Sequence, residues 1–456
     1  MYMRSNIEYP PGPSNLIPYT MGRKFIRDPI KTLLDLSHKY GDISHFKFGR
    51  QDVYFINNPN YIEDVLVTNH KNFIKSRGLQ VSRRLLGNGL VTSEGEYHDR
   101  QRHLIQPKFY PKQIRSYSDV MIKCALKMCA NWKDGTVVDI HKEMAHVTLA
   151  IISKSVLGYE VKQQGDEIGK ALLTCMEYFN RLLMPFGELI EKIPVLPMNR
   201  EFQRAKRTLD STVYSMISEH RKSLNGGQKE GDDLLFTLLQ AQDEESGIGK
   251  MSDIQLRDEV MTIFLAGHET TSNALTWTLY LLSLHPDVEA KLDKELRAVL
   301  GDSRKIPTIF DVPELVYTER ILTESMRLYP PAWALGRQAI NEYKIDKYAI
   351  RASSIILMSQ YVMHRNPLYY TDPDLFYPDR WTPEFKKQLP RFSYFPFGGG
   401  IRGCIGEPFA WLEAILLISI ICKQWKMTLD PSQKVALKPL ITLRPKHGMR
   451  MLLTRK

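Results

Sequence analysis

Five cysteines lie along the 456 residues, and one of them, Cys404, stands where its sulfur could do chemistry. It sits in Phe395-Pro396-Phe397-Gly398-Gly399-Gly400-Ile401-Arg402-Gly403-Cys404-Ile405-Gly406. The glycines let the backbone bend tightly, so several N–H groups can converge on one sulfur. Such donors favour the thiolate, the form that binds metal ions. A single cysteine falls short of the roughly four ligands of a structural zinc site. It can serve as the axial ligand of a haem, whose porphyrin fills the other in-plane positions. Without such a setting, a lone cysteine is most simply a small buried hydrophobe.

A second stretch, Ala266-Gly267-His268-Glu269-Thr270-Thr271, joins an acid to two alcohols. Ser252 and Gln255 have capping-box spacing and Pro286 is a stop, so the spacing predicts one long helix. At 1.5 Å per residue it spans roughly 48 Å, the width of a domain. Thr270, four residues after Ala266, can bond that carbonyl and open a local groove for water or dioxygen. Gly267 removes a side chain where a flat ligand could lie against the backbone. By itself, a glycine kink with polar residues facing a neighbour explains the stretch equally well. Glu324 and Arg327, in Glu324-Ser325-Met326-Arg327, share a helix face at i, i+3; as a surface ion pair they would be worth little.

The pattern F-x-x-G-x-R-x-C-x-G, read at Phe397, Gly400, Arg402, Cys404 and Gly406, fixes five residue types. At average residue frequencies it arises by chance in about one chain in ten thousand. The stretch resembles the cysteine loop of the cytochrome P-450 family, the haem-thiolate monooxygenases, and AGHETT is similar to that family's A/G-G-x-D/E-T-T. The resemblance runs from about residue 43 to Pro445. It implies a mainly α fold with a small β-rich lobe around a buried haem b (iron protoporphyrin IX). Cys404 is then the iron ligand, with Phe397 near the sulfur, Gly406 behind it and Arg402 on a propionate. Ala266 and Gly267 border the cofactor, Thr270 stabilises reduced oxygen, and Glu269 helps deliver protons.

The same resemblance makes Arg337 and Arg102 propionate cations. His98 stands where the family usually has tryptophan, so it departs from the pattern and carries a pH-dependent charge. Glu324, Arg327 and Arg380, the last in Pro378-Asp379-Arg380-Trp381, become a buried ion network that assembles the site. The substrate pocket draws on the 78–92 loop, the 184–198 connection, Ala332 to Leu335 (Ala334 and Leu335 above all) and Pro439 to Thr442, including Leu440.

The elements that position these residues read as one domain over 1–456, with 1–20 a proline-rich lead-in. A helix is expected over 28–40, a hairpin from Ile43–Phe48 and Val53–Ile56, and helices over 60–69 and 95–106. Ser76 to Thr92 reads as a loop. Helices dominate from 114 to 285, broken by the prolines of 184–198 and by Asn225-Gly226-Gly227 and Gly231. Strands are expected over 343–350, 355–358 and 448–453.

Composition bounds the rest. With 43% hydrophobic residues the chain can bury a sizeable core, and its scattered cysteines suit a reducing cytoplasm. The longest apolar run, Ala414 to Ile418, is far short of the ~18 residues of a membrane span, and no signal peptide is evident. The expectation is a soluble, cytoplasmic, bacterial-type monomer. The charge of +11 comes from dispersed basic residues without a nucleic-acid-binding motif. It suits a solvated surface or a docking patch for an acidic donor. Lacking a fused reductase, the chain is expected to take electrons from a separate ferredoxin or flavodoxin with its NAD(P)H reductase. The function expected is insertion of one atom of O2 into a hydrophobic small molecule such as a fatty acid, terpene or polyketide. The alternatives are a peroxide-using or peroxide-isomerising enzyme and a non-catalytic haem sensor; Glu269 and Thr270 weigh against both.

Overall fold

The capping box at Ser252 forms. Ser252 Oγ accepts the Gln255 N–H at 3.2 Å, and Gln255 Oε1 accepts the Ser252 N–H at 2.8 Å. From it runs a helix over Asp253–Leu284, 32 residues long. It is buried on every side from Leu256 to Leu282 except at Ala266, Gly267, Thr270 and Tyr280. A helix covered on every side belongs at the centre of a large core. Around this central helix pack Ile140–Ser155, Pro197–Asn225, Val316–Leu328 and Glu407–Gln424. The computed structural model describes residues 9–13, 20–161, 165–184, 187–226, 233–240, 251–301 and 306–456.

The β-rich part centres on a five-stranded sheet. Its strands are β1 (Ile43–Phe48), β2 (Gln51–Ile56), β3 (Phe73–Lys75), β4 (Leu335–Ala339) and β5 (Ile355–Met358), in the spatial order β1-β2-β5-β4-β3. The expected hairpin is β1-β2, with Phe48 opposite Gln51. The register of β3 on β4 sets Lys75 directly opposite Arg337, which matters below. A second sheet joins Val137–Asp139, Arg450–Arg455 and Trp425–Leu429.

Most expected elements form: helices over Pro29–Tyr40 and Gly95–Ile105, and a helical segment over Pro59–Thr68. Where the structure differs, the causes are local. The 76–92 stretch is not a plain loop but holds helical turns at Arg77–Gln80 and Arg83–Leu86. The 184–198 connection carries a turn at Gly187–Glu191; Pro185 lies outside the described residues. The run 343–350 splits at Asp346, whose φ is +52°, into the paired strands Tyr343–Ile345 and Tyr348–Ile350. The last strand begins at Arg450, not 448, because Gly448 turns the chain at φ +69° against the Asp139 carboxylate. The lead-in beyond Pro13 and the turn beyond Gly226 fall outside the described residues up to Met21 and Asp233 respectively, apart from the backbone of Thr20.

Candidate functional site

The cysteine loop is a glycine-built bend. Gly398 and Gly400 have φ of +72° and +68°, the left-handed region that favours glycine. At Gly400 a Cβ would also fall 2.0 Å from the Leu66 carbonyl oxygen. The bend closes through the Cys404 N–H on Phe397 O and the Gly403 N–H on Gly400 O, both 3.0 Å. It delivers the chain to the Glu407–Gln424 helix. The N–H groups of Gly406 and Glu407 at that helix start favour the thiolate form of Cys404. Burial nevertheless outweighs them and Arg102, pushing the thiol up to about 11. Cys404 is also surface-accessible. Dense surroundings with an open face describe a group at the floor of a deep hollow. A coordinated metal cation would reverse the proton balance of such a thiol.

A second accessible patch lies on the central helix. Ala266 is exposed, and Gly267 and Thr270 are half-buried, although their neighbours along the helix are buried. Residues four apart share a face, so Ala266 and Thr270 form one stripe lining an internal hollow. Thr270 Oγ1 donates to Ala266 O at 2.8 Å, the bond expected from the spacing. Gly267 has another reason to be glycine. A Cβ there would meet Ile152 of the Ile140–Ser155 helix at 2.6 Å, so close helix packing demands it.

A cluster of cations completes the site. Lys75 and Arg337 are both buried, side by side across β3 and β4. Like charges directly opposite in a sheet repel. Arg402 adds to their field: burial first, then Arg402, lowers Arg337 to about 10. Lys75 falls to about 7 through burial, against Glu94 and with help from Arg402, Arg337 and Arg83. Burial, Lys75 and Arg402 likewise depress His98. Two carboxylates lie within this group: Glu94, which accepts the Lys75 N–H at 2.5 Å and pairs with Arg402 at 2.5 Å, and the more exposed Asp99, 3.1 Å from His98 Nδ1. So much buried positive charge fits a ligand that brings carboxylates of its own. A sulfur floor, an accessible helix stripe and a cationic edge together fit haem with its propionates.

The model of the family described as cytochrome P450 matches residues 10–450. The chain belongs to the cytochrome P450 family. Its members are haem-binding oxidoreductases, and one relative, of Streptomyces melanosporofaciens and 32% identical over 419 residues, is named cyclooctat-9-en-7-ol 5-monooxygenase. This P450 is 36% identical over 419 residues to cyclooctatin synthase of Streptomyces melanosporofaciens, covering 91% of this chain and 89% of that one. It is 32% identical over 434 residues to pentalenene oxygenase of Streptomyces avermitilis, covering 94% of each. Its structure superposes on the crystal structure of the cytochrome P450DA haem domain with a TM-score of 0.86 and 26% identity, covering 99% of this chain and 98% of the other. Among the described residues no helix is long and apolar enough to cross a membrane.

Other residues of this P450 fall into distinct surroundings. Glu269 is buried and turned from the accessible stripe. Its Oε1 accepts Thr442 Oγ1 at 2.8 Å and Asn273 Nδ2 at 2.9 Å, with Arg444 Nε at 3.4 Å. Burial opposes its charge, but Arg444, His268, His141 and Thr442 together hold the carboxyl below its usual range. Arg444 also donates to His141 Nε2 at 3.0 Å; burial and then Arg444 lower His141 to about 4. Arg102 donates to Gly403 O at 2.9 Å, bracing the cysteine loop. Phe397 packs its ring against Trp411 at 6.0 Å.

The Glu324 network is buried at Glu324, Arg327 and Trp381, with Arg380 half-buried at its edge. Arg327 Nε and Nη2 each reach a Glu324 oxygen at 2.8 Å, Arg380 Nε reaches Oε1 at 2.9 Å, and Trp381 Nε1 reaches Oε2 at 2.8 Å. Tyr394 donates to Thr323 O at 3.0 Å and the Phe395 N–H to His364 Nε2 at 3.0 Å, tying this helix to the cysteine loop. Of the pocket residues, Ala334 and Leu335 are half-buried at the start of β4. Leu440 is buried, its carbonyl held by Trp333 Nε1 at 2.8 Å. Lys75 and Glu94 escaped sequence reasoning. An alignment of strand pairs could have found Lys75, because only the register of β3 on β4 brings it to Arg337.

Proposed function

We propose that this P450 inserts one oxygen atom from O2 into a hydrophobic small molecule of terpenoid type, with haem b as cofactor in one domain over 1–456. The observation that carries the reading is Thr270 Oγ1 on the Ala266 carbonyl, on the one accessible stripe of a buried helix. The names of cyclooctatin synthase and pentalenene oxygenase support the terpenoid class. Cys404 would hold the iron, and Arg337, Arg402, Lys75 and His98 the propionates. When bound, haem supplies dioxygen chemistry, dividing O2 with two electrons and two protons into the inserted atom and one water.

The chain's own residues manage the protons. With its hydrogen on Ala266 O, Thr270 Oγ1 presents acceptor lone pairs to the hollow, and rotation turns it into a donor. Glu269, the next residue on the buried side, stays a carboxylate held by Arg444, Thr442 and Asn273. Thr270→Ala should therefore keep haem, substrate and electron uptake but lose proton control. We expect NAD(P)H consumption to persist, hydrogen peroxide to accumulate, and product per NAD(P)H to fall about tenfold, short of the 10²–10³ of a lone donor because water can substitute. Unchanged product yield would move weight to the peroxide-using reading.

Electrons come from a separate ferredoxin or flavodoxin, with the protein a cytoplasmic monomer. The net charge of +11 favours an acidic partner. Its rate of electron transfer should fall as salt rises and shortens the Debye length. A rate indifferent to ionic strength would count against that partner.

A further inference from the structure

Residues 87–93 are seated on the central helix by buried ionisable groups that the oxygen chemistry leaves idle. The backbone lies directly on the helix: a Cβ on Gly89 would stand 2.2 Å from Thr262 Oγ1 and 2.5 Å from Asp258 O. The Asn88 N–H donates to Asp258 Oδ2 at 2.8 Å, and the Leu90 N–H to Glu259 Oε2 at 2.9 Å. Lys75 Nζ donates to Leu90 O at 2.9 Å and Ser93 O at 2.5 Å, and Arg83 to Thr92 O at 2.7 Å. Glu259 is wholly buried, yet its Oε1 has no hydrogen-bond partner among the described residues. It precedes Ala266 by seven residues, about two helical turns. Glu259, Ala266 and Thr270 therefore share one face, and Leu90 covers its N-terminal end.

We propose that Glu259 is the positioning residue that latches the 87–93 segment over the hollow and so controls substrate entry. This rests on the reading of the hollow as the substrate site. The surroundings favour the neutral form of its carboxyl. Burial first, against the Leu90 N–H, then Asp258 against Lys75, takes the carboxyl up to about 8. The charged and titratable groups around it are Asp258 on its own helix, Lys75 from β3 and Tyr97 from the Gly95–Ile105 helix. A solvated glutamate ionises near 4.3, so the seated segment holds a proton that the lifted one releases. The seated form is therefore favoured at low pH and loses ground as pH rises towards 8, beyond which the Glu259 contribution is constant. Lys75 titrates with the opposite sense, so the Glu259 part is read as wild type against Glu259→Gln.

The test uses the holoprotein, with imidazole as the entering probe followed by stopped-flow absorbance. Hydrogen exchange of the Asn88 and Leu90 amides is followed alongside. Glu259→Ala should speed exchange at Leu90 and imidazole entry by about tenfold, the scale of one lost buried hydrogen bond. Glu259→Gln keeps a neutral acceptor and should restore slow exchange. The wild-type rates, divided by those of Glu259→Gln, should rise about fiftyfold between pH 6 and 8. Rates in Glu259→Ala equal to wild type would overturn the latch. So would a ratio of wild type to Glu259→Gln that does not change with pH, which decides the matter even if the alanine variant fails to fold. Neither readout needs turnover, so a failure of the monooxygenase reading at Thr270 would leave this result interpretable.

Discussion

Cys404→Ser is expected to remove the red-shifted Soret band that the reduced, CO-bound protein owes to a thiolate ligand. The serine hydroxyl is a harder and far weaker acid, so the Gly406 and Glu407 N–H groups can no longer help to produce a soft anionic ligand. Haem should remain bound, because Lys75, Arg337 and Arg402 are untouched at the other edge of the site. The variant should therefore show an unshifted Soret band at near-stoichiometric haem. Turnover should fall by at least about 10²-fold, the scale of losing a major electrostatic contributor. Retention of the red-shifted band by the serine variant would mean that another residue ligates the iron.

Arg327→Ala should be the most damaging single change to stability. Its side chain has no exposed surface, and neither has Glu324. Besides Glu324, it serves three carbonyls, His364 O at 2.9 Å, Pro373 O at 2.5 Å and Leu375 O at 3.0 Å. Removing one partner of a buried pair costs about 3–5 kcal/mol because the other charge is stranded. Arg380 still neutralises part of Glu324, which puts the expected loss towards the lower end. Arg327→Lys should rescue little, since an ammonium cannot reproduce the planar fork. The exposed pair Lys31–Asp35, at 3.6 Å with both side chains largely in solvent, is the control; Asp35→Asn should change stability by less than about 1 kcal/mol. Denaturant unfolding of the haem-loaded proteins measures all three. An Arg327→Ala protein as stable as the Asp35→Asn control would remove the network's structural role.

The motifs were legible where a short run of residues contains its own geometry. The cysteine loop needs only its glycines and the helix start that follows. The capping box and the Thr270–Ala266 bond each need residues three or four apart, a spacing that the helix itself makes into a contact. Glu324 and Arg327 were legible for the same reason, but nothing local says that they have no exposed surface. That follows from Arg380 and Trp381 arriving from a distant segment.

By itself, then, the chain's order of residues determined the family and singled out Cys404 and the Glu269–Thr270 pair as candidates, because those rest on local backbone chemistry. Tertiary structure decided the company those residues keep. Glycine at 267 answers to Ile152 on another helix. Lys75 becomes part of the cationic edge only through the pairing of two strands some 260 residues apart. Glu269 keeps its charge beside Arg444 and Thr442, brought from the far end of the chain to one buried point. The Glu259 carboxyl is pushed up by burial beneath the 87–93 segment, against the Leu90 N–H that it accepts. In each case the deciding term is desolvation or a contact between segments far apart in sequence, and neither has a signature in local residue spacing.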